Sequence, residues 1–261
     1  MTRYCRIATA LLIINATSFT AFAQFPRFKV LAFFSNKVER DHTDFSRDAI
    51  KFFKTLTKGN GFVFDTTSNM SDLNEQKLKD YSFIVMLNDF PHTKEERSAF
   101  EKYMENGGGW LGFHVAAYND KHTQWPWFVQ FLGGAVFYNN NWPPMPAKIV
   151  IDDRTHPVTK GMPDTYIAPI NEWYQWRPSP RENKDVKVLA SLSHENYPFG
   201  LKDIIRDGDT PVIWTNTKYR MLYMNIGHGD EIFTDATQNK LIIAALRFVA
   251  ASDKKGNPFK D

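Results

Sequence analysis

From Phe28 onward the apolar residues come in two alternating rhythms, and that alternation predicts the first half of the fold. Phe28 to Phe34 is a compact apolar run, and the polar loop Ser35 to Thr43 follows it. Phe45, Ala49, Phe52, Phe53 and Leu56 then recur at helical offsets until Gly59 to Gly61 end the period. This is strand, loop, helix, with His42 just before the helix's first turn. The rhythm repeats with Phe62 to Thr66 as a strand, Ser71 as the N-cap of a polar helix reaching about Asp80, and Phe83 to Leu87 as a fully buried strand with Asp89 at its exit. Thr93 and Glu96 open the next helix as a capping box, with Phe100, Tyr103 and Met104 along one face. Gly107-Gly-Gly-Trp-Leu-Gly-Phe-His114 stops that helix and begins another buried strand. Strands alternating with helices predict a doubly wound, parallel arrangement with right-handed crossovers. In such sheets ligands sit beyond the carboxyl ends of strands, which is where His114 falls, before the small pair Ala116-Ala117. Position alone is equally consistent with a histidine satisfied by backbone groups in a tight turn.

From Thr123 the pattern changes. Trp125-Pro-Trp127-Phe128 starts a helix that leads to Gly133-Gly134, and Val136 to Pro146, rich in Asn, Pro and aromatics, reads as an elaborate loop. Period-two alternation then recurs at Ala147 to Ile151, Val186 to Leu192, Pro211 to Thr215 and Met221 to Ile226, the last two forming a hairpin around Lys218. Thr234 or Asp235 caps a final helix carrying Leu241, Ala245, Phe248 and Val249 on one side. The expectation is an α/β fold with a mostly parallel central sheet, helices on both faces and an antiparallel β extension.

Residues 1 to 23 do not belong to this pattern. Arg3 and Arg6 precede an apolar run around Ala10 to Ile14, and Ala21-Phe-Ala23 gives the small-x-small end of a secretory signal peptide, so the expected mature protein is periplasmic or secreted. That run is too short for a permanent membrane anchor, and no later stretch approaches the ~20 apolar residues a span needs. Residues 24–253 form a single domain and 254–261 a polar tail. Cys5, the one cysteine, leaves with the signal peptide, which excludes disulfides, thiolate metal sites and a cysteine nucleophile from the mature chain. Removing Arg3 and Arg6 leaves 30 basic against 29 acidic residues, a net of +1, and no basic tract points to nucleic acid. Aromatics make up 15% of the chain, a share that suits a cleft for sugar rings as well as an ordinary core. Homo-oligomerisation is left open.

Three histidines, His42, His114 and His228, fall at element boundaries on the same expected edge, and Gly227-His228-Gly229-Asp230 again holds a histidine among glycines. Three neutral imidazoles with a carboxylate from Asp41, Glu172 or Asp230 would suit zinc or another divalent ion, although no dense motif such as H-E-x-x-H is present. Hydrogen-bonding or acid/base histidines fit the same pattern. Glu172, within Asn171-Glu-Trp-Tyr-Gln-Trp176, sits among aromatics where desolvation raises a carboxyl into general-acid range; an ordinary rim salt bridge is the plainer reading. His92, His122, His156 and His194 carry no such context.

With these residues assembled, the chain resembles the ThuA-like (trehalose utilisation) family, whose members look like class I glutamine amidotransferases in fold. The resemblance is carried by the opening strand with His42 after it, the run ending at His114, Gly133-Gly134, Glu172-Trp-Tyr, Pro211-Val-Ile-Trp214 and Ile226-Gly-His228. It implies a flavodoxin-like layered fold and a role in sugar catabolism, often beside dehydrogenases that make 3-keto-glycosides. Two departures alter the expected pocket: Tyr138-Asn139-Asn140-Asn141 stands where the family often has a histidine, and the hairpin before His228 lacks a glycine-rich turn. The expectation is an enzyme on a sugar or 3-keto-glycoside, using His42, His114, Glu172 and His228 for acid/base or metal-assisted chemistry. Trp142 and Trp173 would offer aromatic faces, and Tyr138, Asn140 and Asp89 further substrate contacts. The competing expectation is a non-catalytic sugar-binding protein using the same cleft.

Overall fold

The computed structural model describes residues 28–199 and 209–251, so the expected signal peptide and polar tail lie outside the described residues. The first half runs β1 (Lys29–Phe33), α1 (Arg40–Asn60), β2 (Val63–Thr67), α2 (Glu75–Leu78), β3 (Phe83–Met86), α3 (Lys94–Glu105) and β4 (Gly109–Phe113). The second half runs α4 (Pro126–Phe131), β5 (Phe137–Asn140), β6 (Met145–Ile151), β7 (Thr165–Asn171), β8 (Tyr174–Trp176), β9 (Val186–Leu192), β10 (Pro211–Asn216), β11 (Arg220–Met224) and α5 (Ala236–Ala251). None of the described helices is long and apolar enough to cross a membrane.

Nine strands form one sheet in the order β2-β1-β3-β4-β11-β10-β9-β6-β7. The five from β2 to β11 are parallel to one another, which matches the doubly wound order in which β1 is flanked by the next two strands of the chain. From β11 onward every pairing is antiparallel, beginning with the expected hairpin that pairs Ile213 with Met224 and Trp214 with Tyr223. Side chains alternate along β1 and so divide between two cores. Val30 and Ala32 join Phe45, Ala49 and Phe53 of α1 and Leu241, Ile242 and Ala245 of α5. Leu31 and Phe33 join Phe100 and Met104 of α3 and Phe128 and Phe131 of α4. Phe45, Ala49 and Phe53 are spaced four apart on α1, so all three face the sheet, and each fully buried Phe contributes roughly 1.5–3 kcal/mol. Gly61, in the left-handed conformation at φ +69°, ends that helix.

Local chemistry explains where the observed elements differ from the expected ones. The α3 capping box is present as read, with Thr93 accepting from the Glu96 N–H and Glu96 accepting from the Thr93 N–H. Asp235 is the residue that holds the start of α5, accepting from the Gln238 N–H at 2.7 Å. Around Ser71, however, the chain makes only a 3₁₀ turn at Met70–Asp72, because Asn69 takes the Ser71 N–H and Asn74 caps the shorter α2 through the Lys77 N–H. α1 begins at Arg40, which puts His42 inside its first turn and not ahead of it. The Val136 to Pro146 stretch contains a strand, β5, paired antiparallel with β8. β7 has no counterpart in the sequence reading: Pro169 discounts a strand there, yet this is the sheet's edge, where a missing N–H is tolerated.

Candidate functional site

The site is assembled where the parallel strands end. His42 comes from the first turn of α1, the helix after β1, His114 directly follows β4, and His228 lies four residues after β11. Their rings lie close together: the centroids are 5.2 Å apart for His42 and His114, 5.0 Å for His42 and His228, and 5.4 Å for His114 and His228. Glu172, from the short link between β7 and β8, completes a group of four whose ligand-capable atoms lie within 4.8 Å of one another. His114 is at 0% exposure and His228 at 1%, so the histidines are buried, with Glu172 only partly so. Asp230 is exposed and outside this group, whereas Asp41 joins Glu39 beside His228 at the rim.

Backbone geometry forces some of these placements. His114 adopts φ +42°, a left-handed conformation that costs a non-glycine residue about 1 kcal/mol or more, and Tyr223 Oη holds it by donating to the His114 carbonyl at 3.0 Å. Gly227, at φ +152°, lies against it, and a Cβ there would fall 2.8 Å from the His114 Cβ. The glycine before His228 is thus a requirement of His114's position. Asn171, at the end of β7, binds this junction from the other side: its Oδ1 accepts from the Gly227 and His228 N–H groups, both at 3.0 Å, and its Nδ2 donates to the Glu172 and Asn225 carbonyls.

Side-chain hydrogen bonds then fix the reacting groups. Glu172 Oε2 accepts from His114 Nε2 at 3.1 Å, and Asn140 Nδ2 donates to Glu172 Oε1. On the other edge of the His114 ring, Asn225 Nδ2 lies 3.3 Å from Nδ1. Burial holds the His114 imidazolium well below its ordinary pKa, with His228 as a second cause. Burial, then His114 and His228, lower His42 to about 3, against a smaller opposing pull from Glu172. Burial also raises the Glu172 carboxyl, while His228, His42 and a hydrogen bond from Tyr174 work the other way. The arrangement therefore keeps His42 and His114 neutral and makes Glu172 a stronger base than a surface carboxylate. Three ring nitrogens, His42 Nε2 and both of His228, are buried without a hydrogen-bond partner among the described residues.

The expected substrate contacts are spread unevenly. Asn140 reaches Glu172, and Tyr138, half exposed on β5, has the Arg177 guanidinium 4.1 Å from its ring centroid. Trp142, two residues after Asn140, is 71% exposed. Trp173 is a correction: it is fully buried, with its indole N–H donated to the Met145 carbonyl, so it has no face to offer a ligand. Its backbone follows Glu172 and points the glutamate outward, which sends the tryptophan into the core. Asp89 pairs with His92 at 2.7 Å and is not in the group of four; the residue before it, Asn88, instead bridges the Ser35 and His42 carbonyls. Sequence reasoning missed Asn171, Asn225, Tyr174 and Tyr223, whose partners are distant in the chain. The Asn at each strand exit, Asn88, Asn171 and Asn225, was the available signal.

The whole fold has close counterparts. A crystal structure of a ThuA-like protein from Bacteroides uniformis ATCC 8492 is 57% identical, with a TM-score of 0.87, and covers 91% of this chain and 97% of that one. Another ThuA-like protein, from Parabacteroides merdae ATCC 43184, is 15% identical with a TM-score of 0.61 over 90% of this chain and 93% of that one, a likeness of fold alone. The β-galactosidase of Bacillus circulans sp. alkalophilus, 12% identical at a TM-score of 0.52, matches 90% of this chain with 32% of its own length, again in fold alone. Residues 29–249, which include every residue of the site, match the family model ThuA, described as trehalose utilisation, and the chain belongs to that family.

Proposed function

We propose that the protein is an exported enzyme of carbohydrate catabolism that acts on a sugar derivative, a 3-keto-glycoside above all, at His42, His114, Glu172 and His228. One observation carries the reading: two buried imidazoles held neutral, a third beside them and a half-buried carboxyl converge on one spot at the carboxyl edge of the sheet. Family membership supplies the carbohydrate context. The chemistry suits such a substrate, because a ketone at C3 acidifies the neighbouring C2–H. A neutral imidazole takes that proton, the electron pair forms a C1=C2 bond, and the glycosidic oxygen leaves with a proton from Glu172. We also read the two cores as helix layers on both faces of the sheet, and residues 1–23 as a signal peptide cleaved before Gln24, which N-terminal sequencing of the exported protein checks.

The exposed Trp142 and the Tyr138 ring favour a second reading, a non-catalytic sugar binder on the same rim. Incubation of the mature chain with oxidised and unoxidised disaccharides, followed by mass spectrometry and calorimetric titration, separates the two. Consumption of the oxidised sugar is expected. Binding without turnover would leave the binder, and neither binding nor turnover would sink both.

A further inference from the structure

The three histidines meet beyond the ends of the parallel strands, but they differ in which nitrogen is free. The His114 tautomer is fixed through Asn225. Asn225 Oδ1 accepts from the Tyr174 backbone N–H at 2.9 Å, so its NH2 must face the other way, toward His114 Nδ1 at 3.3 Å and Tyr223 Oη at 3.0 Å. Tyr223 spends its own proton on the His114 carbonyl and is therefore an acceptor here. His114 Nδ1 is then an acceptor too, and a neutral ring with an acceptor at Nδ1 carries its proton on Nε2, from which it donates to Glu172 Oε2. That nitrogen has no lone pair to give a cation.

His42 and His228 are poised the other way. His42 Nδ1 lies 3.8 Å from Glu39 Oε2, a carboxylate that favours the proton there. His228 has a carboxylate on either side, with Asp41 Oδ2 3.7 Å from Nδ1, and among the described residues neither of its ring nitrogens is committed to a hydrogen bond. Both Nε2 atoms are buried without a hydrogen-bond partner among the described residues. His228 Nε2 faces two carboxylates, Glu172 Oε2 at 4.0 Å and the half-exposed Glu39 Oε2 at 3.6 Å. These gaps are too long for hydrogen bonds. Two ligand atoms on one tetrahedral cation with bonds of about 2.0–2.2 Å are ~3.4 Å apart. The ligand atoms of His42, Glu172 and His228 lie within 4.8 Å of one another, so the three groups stand within an ångström or so of sharing one cation.

We propose that His42 Nε2, His228 Nε2 and the Glu172 carboxylate form a binding site for a divalent transition-metal cation, with His114 as the positioning residue that orients Glu172 through its Nε2–H. Two imidazoles and one carboxylate are a set that zinc and its first-row neighbours accept, and that magnesium and calcium do not favour. Asn225 sets the division of labour, by keeping one of three neighbouring histidines out of the shell. The inference uses the same cleft as the function proposed above but does not depend on a sugar.

The test is zinc binding by the chelator-treated mature chain, measured by calorimetry and by metal analysis after dialysis, with X-ray absorption spectroscopy to count imidazoles. The expected result is one zinc per chain with two imidazoles in its shell. His42→Ala, His228→Ala and the isosteric Glu172→Gln should each weaken binding by about a hundredfold or more, with near-ultraviolet dichroism confirming the fold, and Glu172→Gln stands if the alanine variants do not fold. His114→Gln should keep the zinc and the two-imidazole shell while losing about 10- to 100-fold in affinity, the scale of an outer-shell partner. No zinc retained at micromolar concentration by the folded chain, or a third imidazole in the shell, would overturn the assignment. Zinc in the expected shell of a protein that turns over no sugar supports the site and sinks the proposed function. A chelated chain that binds no zinc yet consumes a 3-keto-glycoside does the reverse.

Discussion

The parallel and antiparallel halves of the sheet contribute to the site by different physical means. The parallel strands β1, β4 and β11 deliver His42, His114 and His228 through chain geometry: the strands are largely buried, His114 and His228 follow β4 and β11 within four residues, and His42 lies in the first turn of the helix after β1. The antiparallel half delivers Glu172 and its supports Asn140 and Asn171 through side-chain hydrogen bonds at the β7–β8 and β5–β8 junctions. One half aims the imidazoles, and the other supplies the carboxylate and locks the seam with asparagines. The parallel half is therefore expected to set stability, and the contact between halves to set chemistry.

The largest effect should come from cutting that contact. With a turned-over sugar in hand, His114→Ala and Glu172→Gln should each lower kcat/KM by about a hundredfold or more, since positioned acid/base groups contribute about 10² to 10⁴. Thermal melting of the same proteins should stay close to wild type; a variant that melts early would mean the contact is structural. Next in size is a cavity in the parallel half. Leu111, fully buried in β4 between β3 and β11, should cost about 2–5 kcal/mol when replaced by alanine, measured by urea unfolding.

A smaller effect concerns pH. His42 in the folded, metal-free chain is lowered to about 3 by burial and by its histidine neighbours, against an ordinary value of 6.5. Above 6.5 the ring is neutral in both states and pH is without effect. As pH falls from 6.5 toward 3, the unfolded chain takes up the proton and the folded one does not, so stability falls across that window. Urea melts in the presence of chelator at pH 7 and pH 4.5 should therefore diverge less for His42→Asn than for wild type, and equal divergence would remove His42 as a cause. The smallest effect is expected at the far edge of the antiparallel half. Ile167, 57% exposed on β7, should tolerate threonine within about 0.5 kcal/mol, and a larger loss would reveal that this edge is covered in solution.

How much of this was legible depended on the range over which each feature is determined. The β1–α1 unit, the α3 capping box and the β10–β11 hairpin are fixed by residues within a few positions of one another: apolar spacing, Thr93 with Glu96, and a polar turn at Lys218. β5 and β7 were not, since β5 is a strand only because β8, more than thirty residues on, pairs with it, and β7 carries Pro169 at an edge that forgives it. Trp173 and Glu172 show the same limit at single-residue scale. Their adjacency made both look like site residues, but a strand-like backbone turns neighbours to opposite sides, and only the packing decided which one met the histidines.

The sequence by itself determined that a buried parallel sheet would end in histidines framed by glycine, because burial makes strands apolar and a left-handed or crowded backbone, as at Gly227 beside His114, needs glycine. It also determined that the one cysteine, Cys5, lies outside the family-matched residues 29–249, so those residues carry no thiol chemistry. Tertiary structure alone decided that three histidines scattered over nearly two hundred residues meet within about 5 Å, and that Glu172 joins them. It also decided that Asn225, through the Tyr174 N–H, leaves His114 Nδ1 as an acceptor and its proton on Nε2. These are facts about hydrogen bonds between strands, and a pattern along one chain does not contain them.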